Sequence, residues 1–365
     1  MAAMRRMGVL GLVLLGGVAA AQAPQNPLGQ QGQVPNDLVH AMAMSAKGTL
    51  AIRAVQGTKD GPAVGGEEVE VVVFHRDRPI QHINATLDEH GLLVVENLPV
   101  SLGIRALVRV KHAGVLYQDA SPPMNDGNPS ASVDITVHEI SDDPQPWRIL
   151  VRQLAAAVVA DGIDVAETVV IENQGDRTWM GEPADAEGRR ATVRLTLPPD
   201  AVEVELLQGF HGWCCSAYKP PELAIQMPMM PGQMTYRFAY KIPVRSGASD
   251  LRFASGAPSD RVVVIVPATG MEPSGVGLER VGVETVGDMQ IARFEGTAVD
   301  LGASVGLTLT SVQPLAAPPS TQAASMPTPR ESRKGLPLSV WIALVLVVFG
   351  GAMVAVRKAG SAKSS

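Results

Sequence analysis

Short runs of valine and other β-branched residues, cut about every ten residues by proline or glycine, constrain this chain more than any other feature. Such residues are stiff at χ1 and suit a pleated surface, and Pro and Gly punctuate strands because they fit ladders poorly. Apolar residues alternate over Thr49 to Gln56 and over Glu68 to Phe74, which is the period of a sheet. Beyond Asp142-Asp143-Pro144-Gln145-Pro146, read as a linker, the pattern resumes. Arg148 to Ala160 fits either an amphipathic helix or a strand; two strands around the Asp161-Gly162 turn are expected, because Val165 to Ile171 is strongly β-branched. Further strands are expected at Ala191 to Leu197, Val202 to Gln208, Met234 to Ile242, Arg261 to Val266, Gly277 to Val286, Met289 to Glu295 and Ser304 to Thr310. That spacing predicts an immunoglobulin-like β unit over 147–312.

The segment from Pro79 to Tyr117 carries a more specific order. It reads strand, Thr86-Leu87-Asp88-Glu89-His90-Gly91, strand, Asn97-Leu98-Pro99, strand Ile104 to His112, then Tyr117. Gly91 supplies positive φ at a hairpin turn, and Pro99 ends a strand because it donates no ladder hydrogen bond. This order resembles carboxypeptidase regulatory-like, or transthyretin-like, β-sandwich domains, over about Gly48 to Ile140. The resemblance implies a sandwich over 48–141 that serves as an accessory module, and it implies no activity.

Both ends of the chain are apolar. Arg5 and Arg6, the run Met7 to Ala21 and then Ala21-Gln22-Ala23 read as a cleavable export signal over 1–23. Leu336 to Val356 holds no charged residue and is followed by Arg357 and Lys358. At about 1.5 Å per residue it is long enough to cross a hydrocarbon core, so a transmembrane helix is expected over 336–356. Lysine and arginine flank that run equally, and orientation therefore rests on the export signal: a short tail, 357–365, inside and the bulk of the chain outside. Residues 24–47 read as a flexible leader, and 313–335 as a Pro/Ala/Ser/Thr stalk.

Candidate chemistry is sparse. A formal charge of -6 and the lack of a basic stripe interleaved with aromatics argue against nucleic acid as a partner. The two cysteines are neighbours, which excludes a disulfide framework. His211, Cys214 and Cys215, with Met227, Met229 and Met230 downstream and Met234 beyond, are the soft donors that suit copper(I). The competing reading is a loop with one buried small hydrophobe and one exposed thiol, followed by an irregular apolar connection. His40, Met42 and Met44 in the leader invite the metal reading too. His75, His82, His90 and His112 form a conceivable cluster, and Asp88 and Glu89 with Asp126 a conceivable calcium loop, although turn carboxylates more often form the turn itself. Asn84-Ala85-Thr86 matches a glycosylation acceptor. No His-Glu-x-x-His or Walker loop occurs, and no catalytic residue or cofactor is expected.

The sequence thus predicts a mostly β protein of two sandwich units and one C-terminal transmembrane helix. Its expected role is a non-catalytic interaction or scaffold protein of the cell envelope, held on the membrane by that helix and binding an envelope protein partner through sheet edges and loops. The alternative is a copper or redox accessory protein centred on His211, Cys214, Cys215 and the methionines.

Overall fold

The computed structural model describes residues 47–313, apart from Gln145, Gly287 and Asp288. The expected export signal, leader, transmembrane helix and basic tail lie outside the described residues, as do His40, Met42 and Met44 and all but the first residue of the expected stalk. Among the described residues the fold is mostly β, the one helical element is a 3-10 turn at Trp213–Cys215, and no helix is long and apolar enough to cross a membrane.

The first unit contains β1 (Lys47–Gln56), β2 (Glu68–His75), β3 (Arg78–Thr86), β4 (Leu92–Pro99), β5 (Ile104–His112), β6 (Val115–Ala120), β7 (Ser130–Val137) and the two-residue β8 (Ile140–Ser141). One sheet has the order β4-β1-β7 and another the order β3-β2-β5-β6. Alternate residues of both, such as Leu50, Ile52, Val69, Val71, Val108 and Ile135, meet in one hydrophobic core. The turn at Gly91 is not the hairpin expected of it. β3 pairs with β2 and β4 pairs with β1, so residues 87–91 carry the chain from one sheet to the other. Gly91 is required there twice over: its φ is +75°, and a Cβ would lie 2.9 Å from the carbonyl oxygens of Ala54 and Val64.

The second unit contains β9 (Trp147–Val159), β10 (Gly162–Asn173), β11 (Thr178–Trp179), β12 (Val193–Thr196), β13 (Val202–Gln208), β14 (Ser216–Lys219), β15 (Glu222–Ile225), β16 (Gly232–Ile242), β17 (Ser249–Asp250), β18 (Phe253–Ala254), β19 (Ser259–Pro267), β20 (Glu272–Val276), β21 (Glu279–Val286), β22 (Met289–Val299) and β23 (Ser304–Thr310). β9 and β10 form the hairpin expected at Asp161-Gly162, and no helix forms over Arg148 to Ala160. An immunoglobulin-like unit divides seven strands into sheets of four and three. Here the order β13-β16-β10-β9-β19-β22-β21 makes one seven-stranded sheet. The opposing layer consists of short strands, β12-β15-β14 and the group around β23. The physical reason is the length of β9 and β10, 13 and 12 residues, and the parallel pairing of β9 with the distant β19, which joins both halves of the unit into one ladder. One large core runs from Ile149 to Val312, and Val263, Ile265 and Ile291 form a separate small cluster.

That core contains a charge pair. Arg152 on β9 and Glu167 on β10 have wholly buried side chains, with Nε to Oε1 at 2.6 Å. The Tyr240 hydroxyl donates to the other carboxylate oxygen at 3.0 Å, Arg152 Nη2 donates to the Thr196 carbonyl at 2.8 Å, and the guanidinium carbon lies 3.5 Å from the centre of the Phe253 ring. Burial pushes the Glu167 carboxyl up, and Arg152 opposes that shift. The network ties three strands of the large sheet to two of the short strands facing it.

Removing one member strands the other charge in the core. Arg152→Met is expected to cost about 3–5 kcal/mol, and the combined variant Arg152→Met with Glu167→Leu far less, because no lone charge stays buried. Urea denaturation of both proteins checks this: similar losses for single and double variants would show that the pair does not act as a unit.

Candidate functional site

The two units meet along the turn that follows β10. Asn173, 1% exposed, shapes that turn: its amide nitrogen donates to the carbonyls of Arg177 and Met229, and its side-chain oxygen accepts from the Gly175 N–H. The turn presents the Asp176 carbonyl to the first unit, where the Thr58 hydroxyl donates to it at 2.9 Å and His138 Nδ1 lies at 3.0 Å. The Lys59 N–H donates to the Asp176 carboxylate, and the Glu139 N–H donates to Thr58 Oγ1. Next to these, β8 and β11 pair in parallel, and the Tyr117 hydroxyl contacts both the His138 carbonyl and Thr178 Oγ1. Met180 and Met230 of the second unit pack against the first unit's core.

Beside this junction lies a cleft of ≈ 1000 Å³ with walls from both units. One wall is made by β6 and β7 residues, with Leu116, Tyr117, Ile135 and Thr136 among them and His138 just beyond; the other by Gly209, His211, Met227, Met230 and residues 233–236. Each wall offers strand edges. β6 and β7 are the outer strands of their sheets, and β13 pairs with β16 only as far as Arg237, so residues 232–236 run past its end. Alternation along β6 buries Val115 and Tyr117 and leaves Leu116 52% exposed. Burial pushes the Tyr236 phenol up to about 12, which keeps its proton; the hydroxyl lies 3.8 Å from Met234 Sδ. Charges stand on the first unit's wall, where Arg109 pairs with Glu70 at 2.9 Å and Asp134 with Arg53 at 2.6 Å.

The soft donors singled out in the sequence divide. His211, Met227, Met230 and Met234 line this cleft, joined by His138, which the sequence did not mark. Met229 is 1% exposed in the second unit's core, with its backbone bridged to Trp179. Cys214 and Cys215 are free thiols in the 3-10 turn beyond the cleft lining, their sulfurs 3.3 Å apart, and Cys214 Sγ contacts the backbone oxygen of His211 at 3.4 Å. The seven residues therefore do not converge on one point. Pro228 and Pro231 keep 227–231 out of regular structure, and its methionines point into two different cores. Among the described residues no group of three or more His, Cys, Asp or Glu side chains is placed to hold a metal ion.

The histidines of the first unit divide too. His82 and His90 are exposed beside Glu70 and Glu89, whereas His112 is buried between Glu67 and Glu139, 2.9 Å from each. The Asp88 carboxylate accepts the N–H groups of His90 and Leu92 and so closes its own turn.

No family model matches this sequence, and no curated protein matches it. A solved M1 zinc metallopeptidase from Deinococcus radiodurans is similar over 45% of this chain and 42% of its own, at 12% identity and a TM-score of 0.28. Legionella pneumophila aminopeptidase A, solved in complex with aspartic acid, is similar over 47% of this chain and 22% of its own, at 7% identity and a TM-score of 0.31. The chain spans less than half the length of either, and at those scores the likeness bears on neither fold nor activity.

The junction carries a pH dependence. The hydrogen bond from His112 lowers the Glu139 carboxyl below its ordinary 4.5, and Gln56 adds to it. A depressed carboxylate contributes stability that is present above its unfolded pKa and lost as pH falls through the folded one. Glu139→Gln is expected to cost about 1–3 kcal/mol at pH 7 and to lose less than the parent protein on further acidification. Urea midpoints measured from pH 7 to pH 3 check it; parallel curves would show that Glu139 contributes nothing to the acid limb.

Proposed function

We propose that this protein is a non-catalytic interaction protein of the cell envelope, tethered to a membrane through 336–356, and that it binds an extended polypeptide segment in the cleft between its units. The observation that carries the reading is the cleft itself: it brings strand edges from both units together around apolar side chains. Extended peptides are recognised in this way, the backbone pairing with a free edge and alternate side chains entering pockets. Methionines suit such a wall, since an unbranched, polarisable side chain adapts to different partners. In the same reading, 48–141 is a carboxypeptidase regulatory-like sandwich, supported by its three- and four-stranded sheets over one core.

A photo-reactive residue at Leu116 or Gln233 in the full-length protein is expected to crosslink one partner in stoichiometric yield, whereas the same residue at Leu102, 84% exposed and away from the cleft lining, is not. Equal labelling from all three positions would overturn the cleft as the binding site. The tether has its own check. A chain stopped at Gly335 should appear in the soluble fraction of a cell lysate, while the full chain needs detergent.

A second reading, a copper carrier, is favoured by the thioethers of Met227, Met230 and Met234 and the imidazoles of His138 and His211 in one cleft. Competition for copper(I) against a chromophoric chelator separates the two readings. Stoichiometric metal, lost in Met230→Leu and Met234→Leu, would replace the peptide reading.

A further inference from the structure

Neighbouring cysteines in a strand direct their sulfurs to opposite faces. Cys214 and Cys215 avoid this because the chain enters a 3-10 turn at Gly212, whose φ of +100° suits glycine. The turn is held by the Cys215 N–H bonded to the Gly212 carbonyl and by the Gln226 N–H bonded to the Cys215 carbonyl. Both sulfurs emerge together, 3.3 Å apart, with Cys214 exposed, Cys215 half-buried and Trp213 49% exposed beside them. A disulfide bond is about 2.0 Å long, so the sulfurs must move closer for one to form. The contact with Cys214 also pushes the Cys215 thiol up.

We infer that Cys214 and Cys215 form a reversible thiol–disulfide exchange site, cycling between a dithiol and a disulfide between adjacent residues. The oxidant is a small or protein disulfide, R–S–S–R′. The exposed Cys214 thiolate attacks one of its sulfurs, giving the mixed disulfide Cys214–S–S–R and releasing R′S⁻. Cys215 then loses its proton and attacks the Cys214 sulfur, which forms the Cys214–Cys215 bond and expels RS⁻. Two cysteine thiols are oxidised, one external disulfide is reduced to two thiols, and the two cysteine protons end on the leaving groups. Adjacent Cα atoms lie about 3.8 Å apart across a trans peptide, shorter than the usual disulfide span of about 4.4–6.8 Å, so the bond stores strain and is readily reduced again. The inference does not depend on what occupies the cleft, although His211 links the two: it lines the cleft and its carbonyl touches Cys214.

The test is equilibration of the purified full-length protein in detergent with mixtures of reduced and oxidised glutathione, followed by acid quenching, alkylation and mass spectrometry of the peptide carrying both cysteines. The expected product is an unalkylated peptide lighter by two hydrogens, reversible with dithiothreitol and following a two-electron Nernst curve. Cys214→Ser and Cys215→Ser should each abolish that species, with Cys215→Ser stopping at the glutathione adduct of Cys214. Two thiols that stay alkylatable at every ratio, disulfide-linked dimers instead of the internal bond, or a pair that resists alkylation until a chelator removes a bound metal would each overturn the inference.

Discussion

One backbone carbonyl, that of Asp176, fixes how the two units of this protein stand to each other. Thr58 and His138 converge on it from the first unit, and the neighbouring Lys59 N–H takes the Asp176 side chain. A buried or half-buried carbonyl needs partners, and here those partners come from another sheet system. The turn is itself over-determined, because buried Asn173 bonds to Arg177, Gly175 and Met229 at once. Inter-unit motion is the usual expectation for units joined by a short linker. The junction opposes it by adding a strand pair, β8 with β11, and two methionines seated against the other core. The cleft has definite walls because of those bonds.

The second unit departs most from what alternation leads one to expect, and the cause lies in two charged residues. In Ile163-x-Val165-x-Glu167-x-Val169-x-Ile171 every second residue faces the core, and Glu167 occupies a core position. Arg152 does the same among Leu154, Ala156 and Val158. Glu167 stands opposite Leu154 and Arg152 opposite Val169, so the two are diagonal neighbours on one face of the hairpin. A single charge in the buried phase would argue against the strand. Opposite charges in the buried phase of both arms of one hairpin predict each other, and to that extent the pair was legible once Asp161-Gly162 had been read as the turn. Tyr240, Thr196 and Phe253 were not, since they come from strands whose pairing no local pattern reveals. A pair of this kind contributes little net stability against an apolar isostere. Its effect is on register: a one-residue slip between β9 and β10 would separate the charges within the core.

Strands with clear period-2 alternation were found where the sequence placed them, usually to within two or three residues, because burial on one face dictates that pattern. Pairing was less visible. Nothing in Thr86 to Leu92 tells whether β4 returns beside β3 or crosses to β1, since Gly91 permits both, and the carbonyls of Ala54 and Val64 that exclude any side chain there come from distant segments. The width of the large sheet was hidden for the same reason, as β9 meets β19 about a hundred residues later. The cleft is wholly a product of such distant pairings. His138 lies just beyond β7 with no Cys, Met or other His near it in the sequence, and Leu116 looks like an ordinary outward residue of a short strand.

The methionine run shows how local composition misleads about chemistry. Met227, Met229 and Met230 resemble a soft-ligand motif because they crowd into four residues, yet a ligand set must point inward to one centre. With Pro228 and Pro231 interrupting any helix, successive side chains leave the backbone in different directions, and this run sits where two cores and a cleft meet. Met229 enters one core, Met230 reaches the edge of the other, and Met227 borders both core and cleft. Each position needs a long, unbranched apolar side chain that can bend to fit, which methionine supplies without a polar atom to satisfy. The cysteines behave in the opposite way. Adjacent in sequence, they ought to diverge, and only the turn opened by Gly212 brings their sulfurs together. In both segments backbone conformation, more than residue type, decides whether soft atoms near one another in sequence meet in space.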